Sequence, residues 1–112
     1  MLRRLYVPTL VLQGDRLTRK SGLFHRKAVR LPEVERIVAV VRDAMTHEEV
    51  MVGFFDGESH VVWISEFDQN FGDVMKSLSA MLPGMLSFEN LAGEKPFEKT
   101  QKTLWERSKV DA

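Results

Sequence analysis

Apolar residues in the first 65 positions fall into short runs separated by turn-forming residues, a pattern typical of β-strands. Alternation of apolar and polar residues before Leu31 predicts a strand with one buried face. The run from Ile37 to Val41 lacks this alternation, so we expect its strand to be central or covered on both faces. The predicted strands are Tyr6–Gln13, Arg16–Lys20, Phe24–Leu31, Val34–Asp43, Val50–Phe55 and His60–Ser65.

The last two of these strands are predicted to form a hairpin. Asp56-Gly57 lies between them, and this dipeptide favours a tight turn whose central residues both have positive φ. Phe54 and Trp63 each belong to an alternating apolar set, but the opposite face of the hairpin is also partly apolar. We therefore expect another element to cover that second face.

Residues 68–82 carry the pattern of an amphipathic helix. Their apolar residues are three or four positions apart and form one stripe: Phe71, Val74, Met75, Leu78, Met81 and Leu82. Asp68 or Asn70 is placed to cap the start, and Pro83-Gly84 is placed to end the helix. We predict that this helix covers the hairpin, with Leu78 buried against the strand that carries Trp63 and Trp63 buried against the helix.

The chain after residue 84 is predicted to contain one more strand. After a turn or loop at 92–96, residues 97–107 fit either a strand, with Thr103 and Trp105 on one face, or a short amphipathic helix with Phe97, Gln101 and Leu104 on one face. Thr100 and Thr103 favour the strand. The predicted fold class is therefore α+β: a mainly antiparallel β-sheet or partly open barrel of six to seven strands, capped by one amphipathic helix. A chain of 112 residues is expected to form a single domain, 1–112.

Composition excludes several classes of function. The chain has no cysteine, so it contains no disulfide, no thiolate nucleophile and no cysteine-ligated metal. Its 44% hydrophobic content is high enough to form a buried core. Charges interrupt every apolar run, and the start of the chain lacks the features of a secretory signal, so we expect no membrane span and a cytoplasmic location.

The net charge of zero hides an uneven distribution of charged residues. Residues 1–30 carry a net charge of +7, residues 31–75 carry −8 and residues 76–112 carry +1. Arg19, Lys20, Arg26 and Lys27 form a candidate basic patch that could attract the phosphates of lipids or nucleic acids. The alternative is that these cations pair with acidic strands across the sheet. We favour pairing, and no specific nucleic-acid binding, because a neutral chain exerts no long-range pull on polyanions.

Chemistry-bearing motifs are sparse in this sequence. It contains no nucleophile elbow, no phosphate-binding glycine loop and no dinucleotide fingerprint. His47-Glu48-Glu49 lacks the spacing of a helical metal site, and Glu66 and Asp68 are better placed for helix capping than for acid–base catalysis. We predict no catalytic, metal or cofactor site.

Two segments resemble the pleckstrin-homology-like (PH-like) domains of bacteria. LVLQGDRLTRKSGLFHRKAVRLPEVERI is similar to the strand–turn–strand opening of that group, and DGESHVVWISEFDQNFGDVMKSLSAMLPG is similar to its last hairpin and helix. The resemblance covers about residues 7–84 and leaves 85–112 as a C-terminal extension. It departs from the group in having six strands before the helix instead of seven. It implies binding of peptides, proteins or lipid head groups without catalysis.

Three functions remain open on this evidence. The first is a non-catalytic protein-interaction module of PH-like form, and the second is an immunity or inhibitor protein directed at a toxin or enzyme. The third is a small-molecule-binding protein or enzyme with a pocket between sheet and helix, lined by Phe54, Trp63, Phe71 and Met75.

An exposed sheet edge is the expected place for a protein or peptide partner, or for a second copy of the chain. A sheet of six or seven strands closed by one helix leaves unpaired backbone groups along at least one edge. The terminal strands, Tyr6–Gln13 and Thr100–Trp105, are the predicted open edges. The alternative is a monomer whose edges are covered by residues 85–95.

Overall fold

The computed structural model of the chain describes residues 7–22, 25–44, 47–57, 60–86 and 101–107. It contains seven strands and one α-helix, α1 (Phe71–Met81), which lies between the sixth and seventh strands. The strands are β1 (Thr9–Gln13), β2 (Arg16–Ser21), β3 (His25–Arg30), β4 (Val34–Ala44), β5 (His47–Asp56), β6 (Val61–Ser65) and β7 (Gln101–Glu106). Tyr6, Phe24 and Thr100, which were assigned to strands from the sequence, lie outside the described residues.

The strands form two antiparallel sheets, and this confirms the predicted α+β class. One sheet has the order β1-β2-β3 and the other has the order β6-β5-β4-β7. Within the described ranges the two sheets remain separate and do not close into a barrel. The prediction that the Ile37–Val41 run is central is confirmed, because β4 lies between β5 and β7.

The geometry of the hairpin turns depends on the length of each loop and, in the first turn, on a glycine. Gln13 pairs with Arg16, so Gly14 and Asp15 form a two-residue turn; only Gly14 has positive φ, at 60°, as in a type II′ turn. The prediction for Asp56-Gly57 is wrong in detail, because neither residue has positive φ. Asp56 N–H instead donates to the carbonyl of His60, and the four residues 57–60 connect β5 to β6.

One apolar core lies between the two sheets and the helix. It includes residues from the three-stranded sheet, from β5 and β6 and from α1: Leu10, Leu17, Val29, Val52, Phe54, Val62, Ile64, Phe71, Val74, Met75 and Leu78. The predicted helical stripe is confirmed at Phe71, Val74, Met75 and Leu78, whereas Met81 is 44% exposed. The prediction that Leu78 is a core residue is confirmed, because its side chain is fully buried.

The helix covers a different face of the hairpin from the predicted one. Val52 and Phe54 are fully buried in the core with the helix, whereas Met51 and Phe55 on the second face are only half-buried. Trp63 lies between the buried Val62 and Ile64 in β6, so its side chain points to that second face. The prediction that Trp63 packs toward α1 is therefore wrong.

The start of α1 is held by tertiary contacts and not by side-chain capping. Asn70 is the N-cap residue and has a left-handed backbone, with φ 72°, but its side-chain amide donates to the carbonyl of Leu10. Asp68 accepts hydrogen bonds from Arg19 and from the backbone of Ser65. The predicted capping role of these side chains is wrong, although the predicted stop before Pro83-Gly84 is confirmed.

Strand β7 comes from the segment that was expected to be an extension beyond the PH-like core, and it completes the larger sheet. It pairs with β4 from Arg36–Glu106 to Val40–Gln101, and a shift in register at Leu104 leaves both Leu104 and Trp105 buried. Thr103 is exposed, so the prediction that it shares a face with Trp105 is wrong.

The indole N–H of Trp105 forms a hydrogen bond inside the fold. Its Nε1–H donates to the carbonyl of Pro83, 3.2 Å away, which satisfies the polar atom of a largely buried ring.

None of the helices in the described residues is long and apolar enough to cross a membrane.

Replacing Leu78 by alanine is expected to reduce the free energy of unfolding by about 2–5 kcal/mol, because a fully buried side chain would leave a cavity between sheet and helix. Met81→Ala on the same helix is the control, since that side chain is largely exposed and its loss should change stability by less than about 0.5 kcal/mol. Urea denaturation of both variants measures the difference. Equal stability of the two variants would contradict the packing described here.

Candidate functional site

The inward face of the β2–β3 hairpin changes from apolar to basic along its length. Leu17 and Val29 pair across the strands and belong to the core. Two residues further along the same face, Arg19 pairs with Lys27, and at the end of the hairpin Ser21 pairs with His25. The hairpin therefore contributes to the core at one end and presents cations at the other.

The register of β2 and β3 places like charges directly opposite each other. Three cross-strand pairs are cationic: Arg16 with Arg30, Arg19 with Lys27, and Lys20 with Arg26. Like charges in such pairs destabilise a sheet. This result overturns the expectation that the basic residues pair with acidic strands across the sheet, except at the two cations that have ion-pair partners.

Arg19 is the first of these two cations. Its Nη2 donates to Asp68 Oδ1 over 3.0 Å, and its Nε lies 2.8 Å from Oδ2 without aligning its N–H with that oxygen. The Asp68 side chain is 2% exposed, so the pair is well shielded on the acidic side. The second is the exposed Arg30, whose Nη2 is 3.8 Å from Asp15. Among the described residues neither Arg26 nor Lys27 forms an ion pair.

A groove of about 270 Å³ separates the basic end of this hairpin from β6. We call it the basic groove, and it is lined by Arg19, Ser21, His25, Arg26, Lys27, Val61 and Trp63. Three of the four residues of the predicted basic patch thus meet in one concave site. The fourth, Lys20, is exposed and pairs with Arg26 across the strands, so both belong to the face opposite Arg19 and Lys27; of these two, only Arg26 lines the groove.

Trp63 is fixed in the wall of the basic groove by packing on the outer face of the larger sheet. Its ring covers Gly53, where an added Cβ would lie 2.8 Å from ring carbons. The ring also meets Phe55 edge to face, with centroids 5.7 Å apart, and Arg36 lies 5.0 Å from the Phe55 centroid. An ordered aromatic surface therefore borders the cations.

The four residues proposed from the sequence to line a pocket are not brought together. Phe54, Phe71 and Met75 are buried members of the apolar core. Trp63 lies on the other side of the sheet, in the basic groove. Sequence reasoning did not single out Ser21, His25 and Val61 as groove residues; Ser21 and His25 were identifiable only from the strand register.

The edges of the terminal strands are partly occupied. Leu10 N–H donates to the carbonyl of Gln69, and Gln69 N–H donates to the carbonyl of Pro8, so residue 69 bridges to β1 in parallel orientation. Leu86 N–H donates to the carbonyl of Leu104 on β7. The two strands predicted as open edges thus already carry backbone partners along part of their length.

The outer edge of β6 is open beside the basic groove. Glu66 N–H donates to Val50 and Asp56 N–H donates to His60, so alternate β6 residues between these ends bond to β5. Val61, Trp63 and Ser65 direct their backbone groups away from β5. Asp68 accepts the Ser65 N–H, but within the described chain nothing pairs with the outward N–H of Val61 or Trp63.

The acidic residues near Ser65 form hydrogen bonds within the fold. Ser65 Oγ–H donates to Glu49 Oε2, and Glu66 Oε1 accepts the N–H of Val50 over 2.9 Å. Arg42 completes the cluster with a 3.3 Å contact to Glu49. These hydrogen bonds give the carboxylates structural roles, and no three histidine or acidic residues of the described chain are close enough to hold a metal ion.

Comparison of the chain with known protein families, curated proteins and solved structures gave no match.

Gly53→Ala is expected to lower the free energy of unfolding by about 1–3 kcal/mol, because the new methyl group must displace the Trp63 ring. Gly72→Ala in α1 is the control: it has open space around it and should be stabilising by about 0.5–1 kcal/mol. Thermal melts of both variants in wild-type and Trp63→Val backgrounds measure the coupling. An unchanged Gly53→Ala penalty without the tryptophan would contradict the proposed contact.

Asp68→Asn is expected to destabilise the fold by about 3 kcal/mol, since it leaves the guanidinium of Arg19 without a counter-charge in a shielded site. Asp15→Asn removes a comparable but exposed ion pair and should cost less than about 0.5 kcal/mol. Urea denaturation at low and high salt compares them. A similar small loss in both would show that the Arg19–Asp68 pair contributes little.

Proposed function

We propose that this chain is a non-catalytic interaction module of PH-like form that binds a protein or peptide partner in the basic groove. The observation that carries the proposal is the composition of the groove walls: cations on one side, a fixed aromatic ring on the other, and an open strand edge between them. A cytoplasmic setting belongs to the proposal, because a chain without cysteine suits a reducing compartment.

The PH-like part of the proposal is supported by architecture. Two antiparallel sheets enclose one core, and an amphipathic helix follows the hairpin of β5 and β6. The order differs from the minimal domain, since six strands precede the helix and β7 follows it to pair with β4. The seventh strand, β7, thus follows the helix in the sequence and does not precede it.

The peptide-binding part is supported by the size and chemistry of the groove. A volume of about 270 Å³ leaves room for a few side chains of a larger partner. Aromatic and arginine residues are the types enriched at the energetic centres of protein interfaces. The like-charge pairs of β2 and β3 also cost stability in the free protein, and an acidic partner would relieve that cost.

The proposal is tested by selecting random peptides on the folded protein and measuring their affinity for two charge-reversed variants. Arg26→Glu with Lys27→Glu alters the groove, and we expect it to weaken binding by at least about tenfold. Arg16→Glu with Arg30→Glu is the matched control, because it makes the same charge change on the same hairpin outside the groove. The control should retain most of the affinity.

Two results would contradict this function. One is that no peptide is enriched over an unrelated folded protein. The other is that enriched peptides bind the two charge-reversed variants equally well, which would place their site away from the groove.

A further inference from the structure

The occupant of the basic groove can be specified further from its charge and from the backbone that borders it. We propose that it is an acidic peptide segment in extended conformation, which adds to the open edge of β6 and directs carboxylates at the β2–β3 hairpin. This inference rests on the proposed function and names the partner's chemistry and binding mode.

The backbone of β6 supplies the first step of the argument. Val61 and Trp63 direct their N–H and C=O groups away from β5, toward the basic groove. Their neighbour Ser65 has the same orientation, and its N–H is already bonded to the carboxylate of Asp68. One backbone N–H on this edge, that of Ser65, is thus already bonded to a carboxylate. The outward backbone groups of Trp63 and Val61 have no partner within the described chain. An added strand would supply main-chain hydrogen bonds at both.

The charge of the hairpin supplies the second step. Arg26 and Lys27 line the groove and lack an acidic partner among the described residues, while Arg19 is opposite Lys27 and is balanced only by Asp68. His25 lies at the same end of the hairpin. A peptide rich in lysine would be repelled here, and a neutral one would leave the cationic pairs unrelieved. Carboxylates are therefore the complementary side chains.

The apolar part of the groove supplies the third step. Val61 and Trp63 are half-buried and form the wall opposite the cations. Successive side chains of an extended strand point to opposite sides. In a peptide of alternating acidic and apolar residues, the acidic side chains would therefore point to the cations and the apolar side chains would point away from them. The expected sequence is thus one of alternating acidic and apolar residues, and not a block of acidic residues.

The experiment uses the full chain and blocked synthetic peptides. The probe alternates glutamate and valine; a second peptide has lysine in place of glutamate, and a third carries N-methyl groups on the backbone edge that would face β6. We expect only the first peptide to bind, with affinity that falls as NaCl is raised. Hydrogen exchange measured by NMR should slow by about tenfold or more at the amides of Val61 and Trp63, since each acquires a carbonyl acceptor.

A charge swap distinguishes groove recognition from loss of folding. The Arg26→Glu, Lys27→Glu variant should lose the glutamate peptide and gain the lysine peptide, and the gain shows that the variant is folded. The Arg16→Glu, Arg30→Glu variant should keep the original preference, because those residues lie outside the groove.

Three outcomes would overturn the inference. The first is binding of the glutamate peptide without slowed exchange at Val61 and Trp63, or binding that tolerates N-methylation. The second is binding of phosphatidylserine vesicles or inositol phosphates in place of the peptide. The third is failure of the glutamate peptide while peptides selected on the protein still bind the groove. In that third case the proposed function stands and only its acidic, strand-like partner is wrong.

Discussion

The Arg19–Asp68 ion pair is the interaction on which the arrangement of the two sheets depends. Arg19 belongs to the three-stranded sheet, and Asp68 lies in the connection between β6 and α1. The same carboxylate accepts the Ser65 N–H, so one buried group joins the first sheet, the end of β6 and the approach to the helix. A charge held in this way is costly to separate from its partner, which makes the geometry specific.

The surrounding connection strengthens this junction with backbone contacts. Gln69 bridges to β1, and the side chain of Asn70 donates to Leu10 on the same strand. Asn70 adopts its left-handed backbone at the point where the chain turns into α1. The polar residues that begin the helix thus serve to dock it on the first sheet. The edge of β1 is partly occupied as a result, whereas the edge of β6 at Val61 and Trp63 remains open beside the cations.

Local patterns predicted the elements well and their mutual arrangement poorly. The six strands before the helix, the stripe through Leu78 and the central position of β4 followed from periodicity and composition. Periodicity could not decide which face of the β5–β6 hairpin is buried, because both faces of that hairpin are apolar; Trp63 was therefore assigned to the wrong one. The basic groove could be located only from the strand register. The cations were visible in the sequence, but only the strand register shows that Arg19 lies directly opposite Lys27.

Strand β7 has a consequence for how the chain acquires its structure. Its partner β4 is the central strand, and the pairing of Arg36 with Glu106 joins residues 70 positions apart in the sequence. Such distant pairing carries a large entropic cost of loop closure and slows folding. During synthesis, one edge of β4 therefore stays without a neighbour until residues 101–106 have left the ribosome. Until β7 pairs with it, this unpaired strand edge exposes the folding chain to aggregation.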